Sequence, residues 1–175
     1  MNKTSLVLTV LGDDRPGLVE SIARLVAEHG GNWLESRMAH LAGQFAGILR
    51  VEVEADQADR LAEALRGLSA AGLELLMRPD VAGSSDDRPL VQLELVGQDR
   101  PGIVREISSV LASLGVNVEE LNTERHAAPT TGQLLFRATA ELRLPSGLTE
   151  QRLRTALEAV AHDLMVDISV APPAA

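Results

Sequence analysis

Gly12-Asp13-Asp14-Arg15-Pro16-Gly17 recurs 85 residues on as Gly97-Gln98-Asp99-Arg100-Pro101-Gly102. An apolar run precedes it and helical apolar spacing follows it both times. One Pro-Gly pair marks a turn, but the same turn twice in the same context marks a duplicated unit. At that offset Leu6, Leu8 and Val10 fall on Val91, Leu93 and Leu95, Gly30 falls on Gly115, and Asn32 on Asn117. Further along, Gly43-Gln44-Phe45 meets Gly132-Gln133-Leu134 at an offset of 89, so the second copy carries an insertion around residues 127–131. That insertion reads as a solvated hairpin loop.

Each copy passes through the same succession of periods. Residues 5–11 are apolar with β-branched side chains, and residues 90–96 alternate with Gln92 and Glu94 turned away, which predicts strands. Helical spacing follows at Leu18-Ile22-Leu25-Val26 and Ile103-Ile107-Val110-Leu111-Leu114. Pro16 and Pro101 suit the first helical turn, and Gly30 and Gly115 suit the position that ends a helix. Strands are expected over 32–41 and 44–54, where Leu49, Val51 and Val53 alternate with Arg50, Glu52 and Glu54. Phe136, Ala138, Ala140 and Leu142 repeat that alternation. Asp56 and Thr149 are expected to cap helices with the stripes Leu61-Leu65-Leu68 and Leu153-Leu157-Val160. Strands over 73–77 and 164–170 close the copies.

The order strand, helix, strand, strand, helix, strand, written twice, predicts an α+β chain of two ferredoxin-like units. Each is an antiparallel four-stranded sheet with both helices on one face. The units are expected at residues 1–78 and 90–171. Residues 79–89, polar and bounded by Pro79 and Pro89, form a linker. Residues 171–175 form a loose tail.

Composition excludes several functions. Lys and Arg number 16 against 25 Asp and Glu, a net charge of −9, and Lys3 is the only lysine. Such a chain lacks the clustered cations that bind phosphate backbones. Trp33, Phe45 and Phe136 are the whole aromatic inventory, too few to stack on unpaired bases. Without cysteine there is no disulfide, thiolate nucleophile or zinc-finger spacing. The first apolar run is too short for a secretory signal and no segment is long enough to span a bilayer, so a cytoplasmic location is expected and no membrane partner.

The doubled loop is the candidate site. It joins a strand end to a helix start, where the first-turn N–H groups lack intrahelical partners and the helix dipole favours an anion such as a carboxylate. Asn32 and Asn117, expected on the same side of the sheet as the loop, could offer a donor and an acceptor to a zwitterion. On these grounds alone, a turn that simply starts a helix is as good a reading. The loop is not a nucleotide cradle, because Leu18-Val19 and Ile103-Val104 stand where a P-loop needs Lys and Ser or Thr. His29, His40, His126 and His162 have no metal-ligand spacing, and no Gly-x-Ser-x-Gly elbow occurs. Asp13-Asp14 and Asp86-Asp87 read as solvated charges. No catalytic residue, metal or cofactor is expected. Three classes remain: a ligand-responsive regulator, a ligand-free interaction module and, least favoured, an acylphosphatase-like enzyme of the same topology.

The doubled strand, Asp-Arg-Pro-Gly, helix, Gly-x-Asn unit resembles a tandem of ACT domains, small amino-acid-sensing modules. Residues 117–123 (Asn-Val-Glu-Glu-Leu-Asn-Thr), Ala128-Pro129, Thr131-Gly132, Leu144-Pro145, Gly147-Leu148 and residues 163–167 resemble the glycine cleavage system transcriptional repressor family. The resemblance implies a non-enzymatic regulator that binds a small amino acid, glycine or serine favoured. Binding in such domains falls at the strand–helix loop and the following strand, where two units pack. By matching position this nominates Gly12, Asp14, Arg15, Pro16, Gly17 and Asn32, and Gly97, Asp99, Arg100, Pro101, Gly102 and Asn117. Trp33, standing where the second copy has Val118, is a departure that could fill or reshape the first site. The resemblance further implies a homo-oligomer, and regulation through a DNA-binding transcription activator rather than by direct contact with nucleic acid.

Overall fold

The computed structural model describes residues 2–80, 87–129 and 131–173. The chain divides into two compact units, Met1–Ser84 and Ser85–Ala175. Unit 1 comprises β1 (Lys3–Asp13), α1 (Leu18–Glu28), β2 (Asn32–Leu41), β3 (Gln44–Glu54), α2 (Ala58–Arg66) with a following 3-10 turn (Gly67–Ala71), and β4 (Leu73–Pro79). Unit 2 repeats the order with β5 (Leu90–Gln98), α3 (Ile103–Ser113), β6 (Asn117–Ala127), β7 (Leu134–Arg143), α4 (Glu150–Leu164) and β8 (Val166–Ala171).

Each unit has one four-stranded antiparallel sheet, ordered β2-β3-β1-β4 and β6-β7-β5-β8. This is the expected α+β, ferredoxin-like architecture. Strand alternation builds it: Leu6, Leu8 and Val10 of β1 and Leu49, Val51 and Val53 of β3 are buried, while the residues between them are not. The helices supply matching stripes, Leu18-Ile22-Val26 with Leu61-Leu65 in unit 1 and Ile103-Ile107-Leu111 with Leu153-Leu157-Ala161 in unit 2. Each such Leu, Ile or Val contributes about 1.5–3 kcal/mol on burial. No charged or polar residue is buried among those described, so both cores are purely apolar.

Several ends differ from expectation. β1 runs on to Asp13 and β4 to Pro79, because β1 keeps partners on both sides, Gly12 pairing with Phe45 and with Leu73. β8 begins at Val166, after Met165 turns left-handed (φ 51°) and ends α4. Pro16 and Pro101 lie outside the first helical turns, since the helix N-caps are Gly17 and Gly102. Thr149 caps α4 by accepting the Arg152 N–H at 3.3 Å. Asp56 caps nothing: Gln57 occupies the N-cap position of α2 and no side chain bonds there. Gly30 and Gly115 end α1 and α3 with left-handed backbone, their N–H groups bonding Ala27 O and Ala112 O at 2.9 and 3.0 Å. The central linker residues 81–86, Thr130 of the insertion and the last two tail residues lie outside the described residues.

Candidate functional site

The two strand–helix loops are built alike. Gly17 (φ 90°) and Gly102 (φ 99°) hold left-handed backbone that an L side chain rarely adopts, and a Cβ at either would meet open space. Neither helix has a side-chain cap. Both loops therefore present an exposed helix N-terminus without a side-chain cap, where the dipole's positive end favours an anion.

The other loop residues hold the turn in place. A Cβ at Gly12 would stand 2.7 Å from Gly72 O, and one at Gly97 2.7 Å from Met165 O, so these glycines admit the chain that enters β4 or β8. Arg15 donates to Ala71 O, and Arg100 to Asp163 O at 2.5 Å. Both guanidiniums thus sit on carbonyls at the end of the unit's second helical segment, where a cation is favoured. Asp14 and Asp99 anchor to the hairpin opposite by their N–H groups, on Gly43 O (2.9 Å) and Leu134 O (3.0 Å). Their carboxylates face equivalent positions of β2 and β6: Asp14 lies 3.7 Å from His40 Nε2, and Asp99 3.4 Å from Arg125. The His40 pair is ionic only when the ring is protonated, and the same nitrogen accepts the Gly43 N–H at 3.2 Å. Unit 1 therefore faces its loop carboxylate with an imidazole where unit 2 has a guanidinium. The signal for this was present, since positions 40 and 125 share the repeat offset, but matching histidine to histidine hides it.

The asparagines are not beside the loops. Asn32 pairs with Glu52, which pairs with Ser5, whereas Gly12 pairs with Phe45. Seven residues of β1 separate those rows, about 24 Å at roughly 3.4 Å per residue. Asn117 likewise pairs with Arg143 opposite Leu90, seven residues from Gly97. The expectation that loop and asparagine share one side of the sheet is corrected: the helix carries the chain back to the far end before the next strand begins. Pro16, Gly17, Pro101, Gly102, Asn32 and Asn117 are all exposed. Asn117 Nδ2 donates to Glu119 at 2.7 Å.

Trp33 is half-buried and packs against the core of unit 1. Val118, its counterpart, is 40% exposed and lines an apolar groove between α3 and β6 with Val104, Ile107, Leu121 and Phe136. That groove, about 30 Å³, is a feature that sequence reasoning did not find. Two open depressions of about 410 Å³ lie on the sheets' helix-free faces, away from both loops. Among the described residues no group of His, Asp or Glu could hold a metal ion, and no helix is long and apolar enough to cross a membrane.

Comparison with known protein families matches ACT-domain models to residues 4–78 and 91–152. The chain belongs to the ACT-domain family. Its two ACT domains follow one another in tandem. Over 170 residues the chain is 28% identical to the glycine cleavage system transcriptional repressor of Escherichia coli, covering 94% of this chain and 88% of that one. It is 27% identical to phosphoserine phosphatase SerB2 of Mycobacterium tuberculosis, of which it spans only 41%. A crystal structure of an unknown protein from Galdieria sulphuraria is 33% identical, with TM-score 0.88 over 99% of this chain and all of that one. Another, provisionally designated a glycine cleavage system transcriptional repressor, shares the fold at TM-score 0.72 and 19% identity, over 99% of this chain and all of that one.

Proposed function

We propose that this tandem ACT protein is an amino-acid-responsive regulator of glycine cleavage genes, acting through protein contact and not as an enzyme. The observation that carries the reading is the repeated helix N-terminus at Gly17 and Gly102, exposed, uncapped and open to a ligand's carboxylate. Whole-length similarity to a repressor of that system supports the metabolic assignment. Glycine or serine is the favoured ligand, with its carboxylate on the first-turn N–H groups and its ammonium on an asparagine amide oxygen. Since that asparagine is remote within one unit, it reaches the ligand from another unit, which we place in a second copy of the chain. Arg15, Arg100, Asp14 and Asp99 shape the loop, while Gly12 and Gly97 let it pack.

With net charge −9, the chain is unsuited to holding DNA itself. Regulation then falls to a DNA-binding activator whose association with this protein changes when the amino acid binds. Calorimetry with glycine, serine and the remaining amino acids tests the reading. Saturable binding of a small amino acid is expected, and no heat from any of them would remove the sensor. A mobility-shift assay should show no retardation of promoter DNA by this chain alone.

A further inference from the structure

The two units differ in the space between their first helix and the strand that follows it. In unit 1 that space is filled. Leu49 of β3 is buried, and Trp33 and Met38 of β2 pack on the core, with Met38 Cγ 2.5 Å from where a Cβ of Gly47 would stand. Register identifies the matching positions of unit 2. Trp33 pairs with Val51 and Met38 with Gly47, while Val51, Leu49 and Gly47 lie opposite Leu6, Leu8 and Val10. Val118 pairs with Leu142 and Thr123 with Ala138, while Leu142, Ala140 and Ala138 lie opposite Val91, Leu93 and Leu95. Val118, Thr123 and Ala140 therefore stand in place of Trp33, Met38 and Leu49. The largest apolar gain in return, Leu121 for Ser36, lies half exposed at the rim. The groove between α3 and β6 is the space that these smaller side chains leave open.

The groove begins at the second loop. Val104 is the second residue of α3, about 3 Å along the helix axis from the Gly102 N-cap, and Phe136 pairs with Gly97, where the loop starts. From there one wall follows α3 to Leu111 and the other crosses the sheet to Val118. The lining is apolar except for Ser108, so a charged group that entered would lose its water without gaining a partner. The volume of about 30 Å³ has room for two or three water-sized groups, at roughly 10–15 Å³ for each. That suits the carbons of a short branched side chain and is too small for an aromatic ring. Size and polarity together select the occupant.

We propose that this groove is a side-chain pocket, through which the second domain binds an amino acid with a short aliphatic side chain, valine fitting best. The first domain, its space filled by Trp33, takes only glycine or serine. The inference rests on the reading that the loop at Gly102 receives a carboxylate. Calorimetry of the full chain with glycine, valine and phenylalanine tests it. Valine should saturate one site per chain, and phenylalanine should bind at least about tenfold more weakly. Ser108→Leu, at an exposed position of α3, fills the groove from the helix side. It should weaken valine binding at least about tenfold and leave glycine binding in place. Val118→Trp, which copies the first domain, should do the same, and circular dichroism with thermal melting shows that each variant is folded. Heat from no amino acid removes both the carboxylate reading and this inference. Glycine binding without valine binding overturns the inference alone. Valine affinity unchanged in the folded variants also overturns it, and a loss of sedimented mass beside that unchanged affinity would assign the groove to a partner's side chain instead.

Discussion

At the scale of single residues, the glycines of the doubled loop divide by what constrains them. Gly17 and Gly102 answer to backbone conformation alone, because nothing lies where their Cβ would be. Alanine at either should cost about 1–2 kcal/mol in urea denaturation, the ordinary penalty for a left-handed L-residue. Valine there should also abolish amino-acid binding in calorimetry, its side chain standing at the helix N-terminus. Gly12 and Gly97 answer instead to a neighbouring backbone carbonyl 2.7 Å from the site of a Cβ, so alanine there should shift the whole β4 or β8 junction. The repetition made all four glycines legible, but the second cause was not, because Gly72 O comes from a segment 60 residues away in the sequence. Lys3 adds a small titratable contribution. Its hydrogen bond to Glu52 and that carboxylate's charge raise its pKa above 10.5. The raised value means that the pair's stabilisation is fully present below pH 10.5 and fades as pH climbs through the folded-state pKa. Lys3→Met should flatten that alkaline slope in denaturation curves, a modest effect for an exposed pair.

At the scale of elements, strands and helices were legible because their burial periods are local. The sequence expectations for β2 and β3 coincide with the observed Asn32–Leu41 and Gln44–Glu54. Caps were less so, since a shift of one residue moves the N-cap off the side chain that would serve it. Thr149 is in place and Asp56 is not. Thr149→Ala should therefore cost about 1 kcal/mol, with Asp56→Ala giving no comparable loss when both are measured by urea titration. Asn32 and Asn117 stand away from the loops for a topological reason. In a strand–helix–strand crossover the helix runs antiparallel to the strand before it, so a residue that opens the next strand stands at the far end from the loop. Chain order alone places the two motifs close together, and the sheet register separates them by about 24 Å.

At the scale of the whole molecule, that separation makes the proposed sensor testable without knowing its biological partner. A free amino acid is only a few ångströms long, far shorter than the interval between Gly17 and Asn32 along one sheet. If a ligand needs both a helix N-terminus and an asparagine, two units must each contribute one of them, and the proposal takes the two from different copies of the chain. Two variants separate the contributions: Gly17→Val with Gly102→Val spoils every loop, and Asn32→Ala with Asn117→Ala removes every asparagine amide while sparing the backbone. Neither variant should bind the amino acid in calorimetry when pure. After the two are mixed under conditions that let subunits exchange, hybrid assemblies unite an intact loop from one chain with an intact asparagine from the other, and binding should return at a fraction of the wild-type stoichiometry. Recovery depends on exchange, so it should be absent immediately after mixing and grow with incubation. A mixture that stays silent although mass analysis shows hybrids would mean that no ligand is shared between a loop of one copy and an asparagine of another. Binding retained by the pure asparagine variant would place recognition on the helix N-termini alone.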